Sequence, residues 1–353
     1  MPAAKAPLVA VILATCLVAQ IAAQRPFVVG HRGSSGKLPE HTKEAYLLAI
    51  QEGADFIECD VVVTKDLQLI CRHEPLLDET TDAADKFKDR STTYEIDGYN
   101  MTGVFASDLT LAEVRTLRAT QRVSFRNQSY NGKFKIPTFE EYLDIALQAN
   151  RPVGVYPETK HPTWHNSLPA LKAAGTTFEK LVVEVLKAKG YTASAPFNST
   201  AWRARPIFLQ SFEVNSLRRL SELTSVPTVY LLDDAPDPET RQPLFEIVSD
   251  SNLASIKSFV STVAPWKSLL YRVPVGSKKL VSTGLTAHLK RKGFMVHTYT
   301  IRNEVQYVLP TCGGVIACEF RFLFKLEGID GAFADYPGTL MQWVKKNYKY
   351  TPI

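Results

Sequence analysis

Several apolar stretches of this sequence are interrupted by side chains able to do chemistry. In Val28-Val29-Gly30-His31-Arg32-Gly33 a strand-like run ends on a histidine and an arginine. Histidine moves protons near neutral pH, and the arginine fork matches the oxygens of a phosphate. In Phe56-Ile57-Glu58-Cys59-Asp60-Val61-Val62-Val63 two carboxylates stand two residues apart. Strand side chains alternate between faces, so Glu58 and Asp60 share one side. Like charges on a buried face repel and are costly to desolvate. A divalent cation relieves both problems, and oxygen ligands select a hard ion, Ca²⁺ or Mg²⁺. The rival reading pairs these carboxylates with Arg or Lys across the fold. In Leu69-Ile70-Cys71-Arg72-His73-Glu74-Pro75 a second histidine, His73, follows a short strand. Two histidines beside a metal can divide the roles of general base and general acid. Metal ligation is their competing role. Glu158, in Gly154-Val155-Tyr156-Pro157-Glu158-Thr159-Lys160, is a third carboxylate at a strand end. Lys160 is either a point charge for phosphate or a solvated loop lysine. Glu40, in Leu38-Pro39-Glu40-His41-Thr42, is either a cap-region acid or a substrate contact.

The elements that must position these residues alternate regularly. Strands are predicted at Phe27–Gly30, Phe56–Val63, Pro152–Tyr156, Pro206–Gln210, Thr228–Leu232, Ser261–Trp266, Phe294–Thr300 and Gly328–Ala334. Leu67–Arg72 is close enough to the second strand to pair with it as a hairpin. Helical patterns occupy Thr42–Glu52, Phe139–Gln148, Phe178–Lys189, Val214–Glu222, Thr283–Arg291 and a short Asn303–Leu309. Repeated βα units imply a parallel sheet, because each crossover needs a helix. About eight such units predict an α/β fold, a TIM-type (β/α)8 barrel, whose active face lies at the carboxyl ends of its strands. An open doubly wound sheet is the alternative, but no Gly-rich dinucleotide loop follows the first strand. A polar insertion, about residues 78–135, follows the second strand region. It shows little periodicity beyond a short helix at Leu111–Arg118.

Composition narrows the class further. The chain has 353 residues, 45% hydrophobic and 22% charged, which excludes a disordered protein. Its net charge of +5 is spread along the chain, so no basic face for nucleic acid stands out. A mean hydropathy of −0.09 excludes a polytopic membrane protein. At the start, Lys5 precedes an uncharged stretch from Ala6 to Ala19 and small residues at Ala22 and Ala23. That is a secretory signal peptide, with an uncleaved anchor as the rival; its apolar core is short for a span of ~20 residues. Residues 1–23 are then removed, and 24–353 form a single secreted, extracellular domain. Cys16 falls within the signal, leaving Cys59, Cys71, Cys312 and Cys318, for which 59–71 and 312–318 are local disulfide options and buried thiols the alternative. Sequons at Asn100, Asn127 and Asn198 fit a secreted glycoprotein.

The ordered set His31-Arg32-Gly33, Pro39-Glu40-His41-Thr42, Glu58-Cys59-Asp60-Val61 and His73-Glu74-Pro75 resembles the glycerophosphodiester phosphodiesterase family. Later segments agree: Glu158-Thr159-Lys160, Gln210-Ser211-Phe212, Tyr299-Thr300-Ile301-Arg302-Asn303-Glu304, and Gly328 through Pro337. The match runs from about Phe27 to Pro337 outside the insertion. The Tyr-Thr-x-Arg-Asn-Glu form and the long insertion resemble its periplasmic and plant secreted branch. The resemblance implies His31 and His73 as the acid/base pair, Arg32 and Lys160 at the phosphate, and Glu40 near the substrate. It implies Glu58, Asp60 and Glu158 as ligands of a divalent metal, Ca²⁺ favoured and Mg²⁺ possible. The implied partner is a small-molecule glycerophosphodiester, neither nucleic acid nor a membrane span. His41 and Glu74 depart from the family's usual Asn and Asp. Two other readings stay open: phospholipase D-like action on lysophospholipids, and a catalytically silent secreted binding protein.

Overall fold

A computed structural model describes residues 25–191, 197–277, 279–349 and 351; the expected signal peptide, residues 1–23, lies outside them. Its main strands are β1 (Phe27–Gly30), β2 (Phe56–Val63), β3 (Gly154–Thr159), β4 (Leu209–Ser211), β5 (Thr228–Leu232), β6 (Thr262–Pro265), β7 (Met295–Ile301) and β8 (Gly331–Ala334). Each pairs in parallel with the next, and β8 returns to β1, closing the barrel expected from the βα count. The principal helices, one after each strand, are α1 (Lys43–Gln51), α2 (Phe139–Leu147), α3 (Phe178–Ala188), α4 (Val214–Leu223), α5 (Asp250–Ile256), α6 (Leu285–Arg291), α7 (Ile316–Phe320) and α8 (Pro337–Asn347). Threonine hydroxyls start three of them by accepting from the backbone N–H three residues on: Thr42 for α1, Thr138 for α2 and Thr177 for α3.

Strand alternation sorts the barrel interior into layers. Inward positions near the amino ends are apolar and aromatic: Phe27, Phe56, Tyr156, Phe208, Val229, Ala264 and Phe333 form one buried cluster. Their rings meet edge-on or stacked, as for Phe56 and Tyr156 at 5.8 Å and Tyr156 and Phe208 at 5.1 Å. Stepping two residues along the same strands changes the chemistry. Phe56 gives way to Glu58 and Asp60, Tyr156 to Glu158 and Lys160, Phe208 to Gln210. The aromatic plug therefore floors a polar mouth at the carboxyl ends. Outward positions, such as Val28, Ile57, Val61 and Val155, pack under the helices in the larger core.

The insertion is anchored to β2 by the expected hairpin, in which Leu69–Cys71 pairs antiparallel with Val61–Val63. Polar outside, it carries a buried cluster of its own that includes Leu77, Val104, Leu109, Val114, Leu117 and Ile136. Its helix is shorter than expected, Leu111–Val114, and a second hairpin joins Thr92–Ile96 to Tyr99–Gly103.

The region before β8 differs from expectation. Asn303–Leu309 is not a helix; only the turn Val305–Tyr307 forms there, and the chain becomes helical at Ile316–Phe320, continuing in wider turns over Arg321–Glu327. Pro310 together with Gly313 and Gly314, both at positive φ, interrupts the earlier segment. A Cys312–Cys318 disulfide spans that break, whereas Cys59 and Cys71 are buried thiols with sulfurs 2.6 Å apart. Among the described residues no helix is long and apolar enough to cross a membrane.

Candidate active site

Parallel register brings the acids together. Asp60 on β2 lies beside Glu158 on β3, which lies beside Gln210 on β4, with Glu58 one inward step behind Asp60. Glu58, Asp60 and Glu158 offer ligand oxygens that all fall within 4.8 Å of one another, and all three residues are buried. Burial, and then repulsion from Asp60, hold the Glu58 carboxyl well above its usual range. Burial likewise pushes Glu158 up to about 8, against the pull of Lys160. Asp60 is held low despite its burial, by its hydrogen bond with His41 and the Arg32 charge.

The available cations do not match these charges. Arg32 Nε stands 3.3 Å from Asp60, while its Nη1 is 3.0 Å from Glu40. Lys160 Nζ stands 3.2 Å from Glu158 and 3.9 Å from Glu74. Among the described residues Glu58 receives only the Arg32 backbone N–H, at 2.6 Å. The salt-bridge reading is thus present in part, yet each cation is shared between two acids. An all-oxygen, crowded and undercompensated donor set fits a hard divalent cation.

A strained turn aims the first strand's residues inward. Arg32 has φ 59° and Gly33 φ 84°. A Cβ at Gly33 would sit 2.6 Å from the backbone carbon of Ala45, so α1 can pack this closely only against glycine. His31 Nδ1 meets Asp335 Oδ1 at 2.6 Å, and Asp335 Oδ2 accepts from Arg126 at 2.7 Å and Arg302 at 2.9 Å. This leaves His31 Nε2 for the cavity. Burial outweighs the Asp335 bond and lowers His31 to about 4, so its neutral form dominates at pH 7. Burial, Arg32 and Lys160 hold His73 well below its usual range, with Nδ1 3.1 Å from Glu74 Oε1 but not aligned for a hydrogen bond.

His31, Arg32, Glu58, His73, Glu158 and Lys160 line one cavity of about 270 Å³. Asp60 stands behind these residues, 3.3 Å from Arg32 and within the acid cluster, and Glu40 lines the adjoining cavity with His31 and Arg32. Glu40 is bound by Arg32 and, at 2.9 Å, by Arg122 of the insertion. Burial disfavours its charge, but these arginines draw it down to about 2. All eight sequence-derived candidates therefore meet at one mouth. His41 does not face that mouth: fully buried at φ 54°, it meets Asp60 through Nε2 at 2.9 Å and the Tyr46 hydroxyl through Nδ1 at 2.8 Å, so it positions a carboxylate.

The sequence reading assigned no role to Asp335, Arg122, Arg126 or Gln210. Asp335 had a visible signal, an acid directly after the last strand. Gln210 lies in the short fourth strand, and its buried Oε1 has no hydrogen-bond partner among the described residues. The two arginines stand in an aperiodic loop that returns to the mouth only through the tertiary fold. The geometry unites a cation-ready acid cluster, anion-binding cations and two neutral histidines, a set suited to breaking a phosphate ester.

Comparison with known proteins agrees. Residues 31–339 match the model of the glycerophosphoryl diester phosphodiesterase family. The chain is 45% identical over 321 residues to glycerophosphodiester phosphodiesterase GDPD6 of Arabidopsis thaliana, covering 90% of this chain and 85% of that protein. It is 27% identical over 350 residues to a glycerophosphodiester phosphodiesterase of Haemophilus influenzae, covering 90% of this chain and 89% of that one. A solved Oleispira antarctica phosphodiesterase, in complex with the product sn-glycerol-3-phosphate, shares the fold. Its TM-score is 0.57 at 21% identity, covering 91% of this chain and 97% of that one.

Proposed function

This chain belongs to the glycerophosphoryl diester phosphodiesterase family and is a phosphoric diester hydrolase, and from that premise we propose that it cleaves deacylated phospholipids to glycerol 3-phosphate and a free alcohol. The observation that carries the proposal is the acid cluster Glu58, Asp60 and Glu158 set between His31 and His73, with Arg32 and Lys160 beside it. The Oleispira complex with sn-glycerol-3-phosphate supports the choice of product.

Glu58, Asp60 and Glu158 would hold a divalent cation, Ca²⁺ by preference and Mg²⁺ as the alternative. When bound, it supplies fixed positive charge beside the phosphoryl group. Arg32 and Lys160 add charge for the oxygens on which negative charge grows. Burial opposes the Lys160 charge, but Glu158 and Glu74 hold its pKa above the usual lysine value, so it stays an ammonium. His31, fixed by Asp335 in one tautomer, and His73 share the proton work. One takes the proton of the attacking oxygen, from water or from the substrate's glycerol 2-hydroxyl, as that oxygen bonds to phosphorus; in the second case water then opens the cyclic phosphate to glycerol 3-phosphate. The other, in the fraction of molecules in which it carries a second proton, delivers that proton to the alcohol oxygen as its bond to phosphorus breaks.

Cleavage near Ala23 and secretion remain our reading, supported by exposure of all three sequon asparagines, Asn100, Asn127 and Asn198. N-terminal sequencing of the mature protein is expected to begin near Gln24; finding Met1 contradicts it. Activity is tested by offering glycerophosphodiesters and lysophosphatidylcholine side by side. Hydrolysis of the glycerophosphodiesters is expected; activity on lysophosphatidylcholine alone would favour the phospholipase D-like reading.

A further inference from the structure

Beyond the catalytic row the mouth opens in two directions of opposite character. On the His31 side a cavity of about 600 Å³ is lined by Arg32, Arg122, Arg126 and Arg302. On the His73 and Lys160 side a cavity of about 570 Å³ lies between the insertion hairpin and the loop after β5. The second cavity is continuous with the catalytic one, since His73, Glu158, Lys160, Phe212 and Leu231 line both. On the catalytic side of that junction the Gln210 side-chain oxygen, in a residue 2% exposed, has no hydrogen-bond partner among the described residues and is left for a bound group.

We propose that this second cavity receives the departing alcohol and selects one bearing a bulky ammonium group, as in glycerophosphocholine, over a polyol such as inositol. The proposal rests on the hydrolysis assigned above. Its walls favour a cation: of six lining carboxyl groups, burial pushes Glu158 and Glu213 up to about 8, which leaves Glu74, Asp97, Asp233 and Asp237 to face three cationic side chains, Lys160, His161 and Arg241. Asp233 accepts only the Ala235 amide N–H and has no ion pair among the described residues. The remaining surface is apolar or aromatic, with Ile96 and Met101 from the hairpin facing Leu232 and Ile247, Phe212 inside and Tyr99 at the rim, 74% exposed. A weakly hydrated ammonium is attracted both to ring faces and to a carboxylate.

A polyol is served poorly. Its hydroxyls need free partners, and most polar groups here are already engaged with one another. His161 bridges Asp97 at 2.6 Å and Glu74 at 2.7 Å; Asp237 accepts from Tyr230 Oη at 2.8 Å; Glu213 accepts from Thr163 Oγ1 at 2.5 Å. An alkyl chain would strand these carboxylates against hydrocarbon, at a desolvation cost. The opposite cavity sets four arginines against Glu40, Glu79 and Asp335, a small excess of positive charge that favours an ammonium group less and suits glycerol hydroxyls.

The test measures kcat/KM for glycerophosphocholine, glycerophosphoinositol and lysophosphatidylcholine with the wild type, Asp233→Asn and Tyr99→Ala. The wild type is expected to prefer glycerophosphocholine over glycerophosphoinositol at least about tenfold. Each variant is expected to raise KM for glycerophosphocholine about three- to tenfold, the range of a lost cation contact, with kcat and the inositol substrate unchanged within about twofold. Equal or better use of glycerophosphoinositol by the wild type overturns the proposal. So do equal KM losses on both substrates, or faster hydrolysis of lysophosphatidylcholine, which would assign the cavity to an alkyl chain. Hydrolysis of none of the three overturns the underlying hydrolase reading instead.

Discussion

At the scale of single residues, His31 and Asp335 form a unit whose second member holds the first. Asp335 Oδ1 fixes His31 Nδ1, while Arg126 and Arg302 fix Asp335 Oδ2. Burial disfavours the Asp335 charge, but the His31 bond and the two arginines hold its pKa well below the usual range. His31→Ala and His73→Ala are expected to lower kcat by about two to four orders of magnitude while leaving the melting curve cooperative. Both residues lie at strand ends rather than in the aromatic floor. Asp335→Asn is expected to lower kcat by about tenfold or more and to displace the pH–rate profile, because the wrong His31 tautomer becomes available. An unchanged pH profile would reduce Asp335 to a structural role. The candidate residues were legible because strand alternation is a local rule: Glu58 and Asp60 must share a face whatever the fold. Arg122 and Arg126 were not, because their proximity to Glu40 and Asp335 depends on where an 82- or 209-residue detour of chain returns.

At the scale of elements, the site depends on two close junctions. The first is the turn from β1 into α1. Gly33→Ala combines φ 84° with a Cβ 2.6 Å from α1 backbone. We expect a loss of about 2–4 kcal/mol in urea unfolding, beyond an ordinary surface change. The second is the start of α4, where buried Glu213 accepts from the Thr163 N–H and hydroxyl. Burial pushes its carboxyl up to about 8. A folded pKa above the unfolded value of a glutamate means that the native state holds the extra proton. Its stabilising contribution is therefore full below about pH 4.5 and is lost as pH rises toward 8. Glu213→Gln, which mimics the protonated form, is expected to gain melting temperature relative to wild type at pH 8 compared with pH 5. A constant difference across that range would place the Glu213 pKa in its ordinary range. Most strands and helices were readable from periodicity, with ends shifted by a few residues. Three of the principal helices were not, and one of them, Pro337–Asn347, opens on Pro-Gly, which reads as a turn. Asp250–Ile256 is short, and the Ile316–Glu327 segment is densely apolar around Phe320, Phe322, Leu323 and Phe324, so it presents no clean helical stripe.

At the scale of the molecule, closure of the barrel brings distant acids into one small space and makes a cation the economical way to stabilise them. Glu58 and Asp60 come from β2, and Glu158 from a strand reached only after the whole insertion. The insertion in turn brings Arg122 and Arg126 to one side of the mouth and the Thr92–Gly103 hairpin to the other. Its hydrophobic positions, including Leu109, Val114 and Ile136, gave no regular pattern in sequence because they pack on one another and on Val62 and Ile70 rather than along one helix. The central claim is that the three buried carboxylates serve phosphodiester hydrolysis through a divalent cation. The direct measurement is glycerophosphocholine hydrolysis by protein stripped with chelator and verified by metal analysis, then titrated with Ca²⁺ or Mg²⁺, for wild type and Asp60→Asn. The account predicts that stripped wild type is inactive and recovers with added ion, while Asp60→Asn recovers little at the same concentration. Full activity of the stripped wild type, or equal recovery by Asp60→Asn, would contradict it.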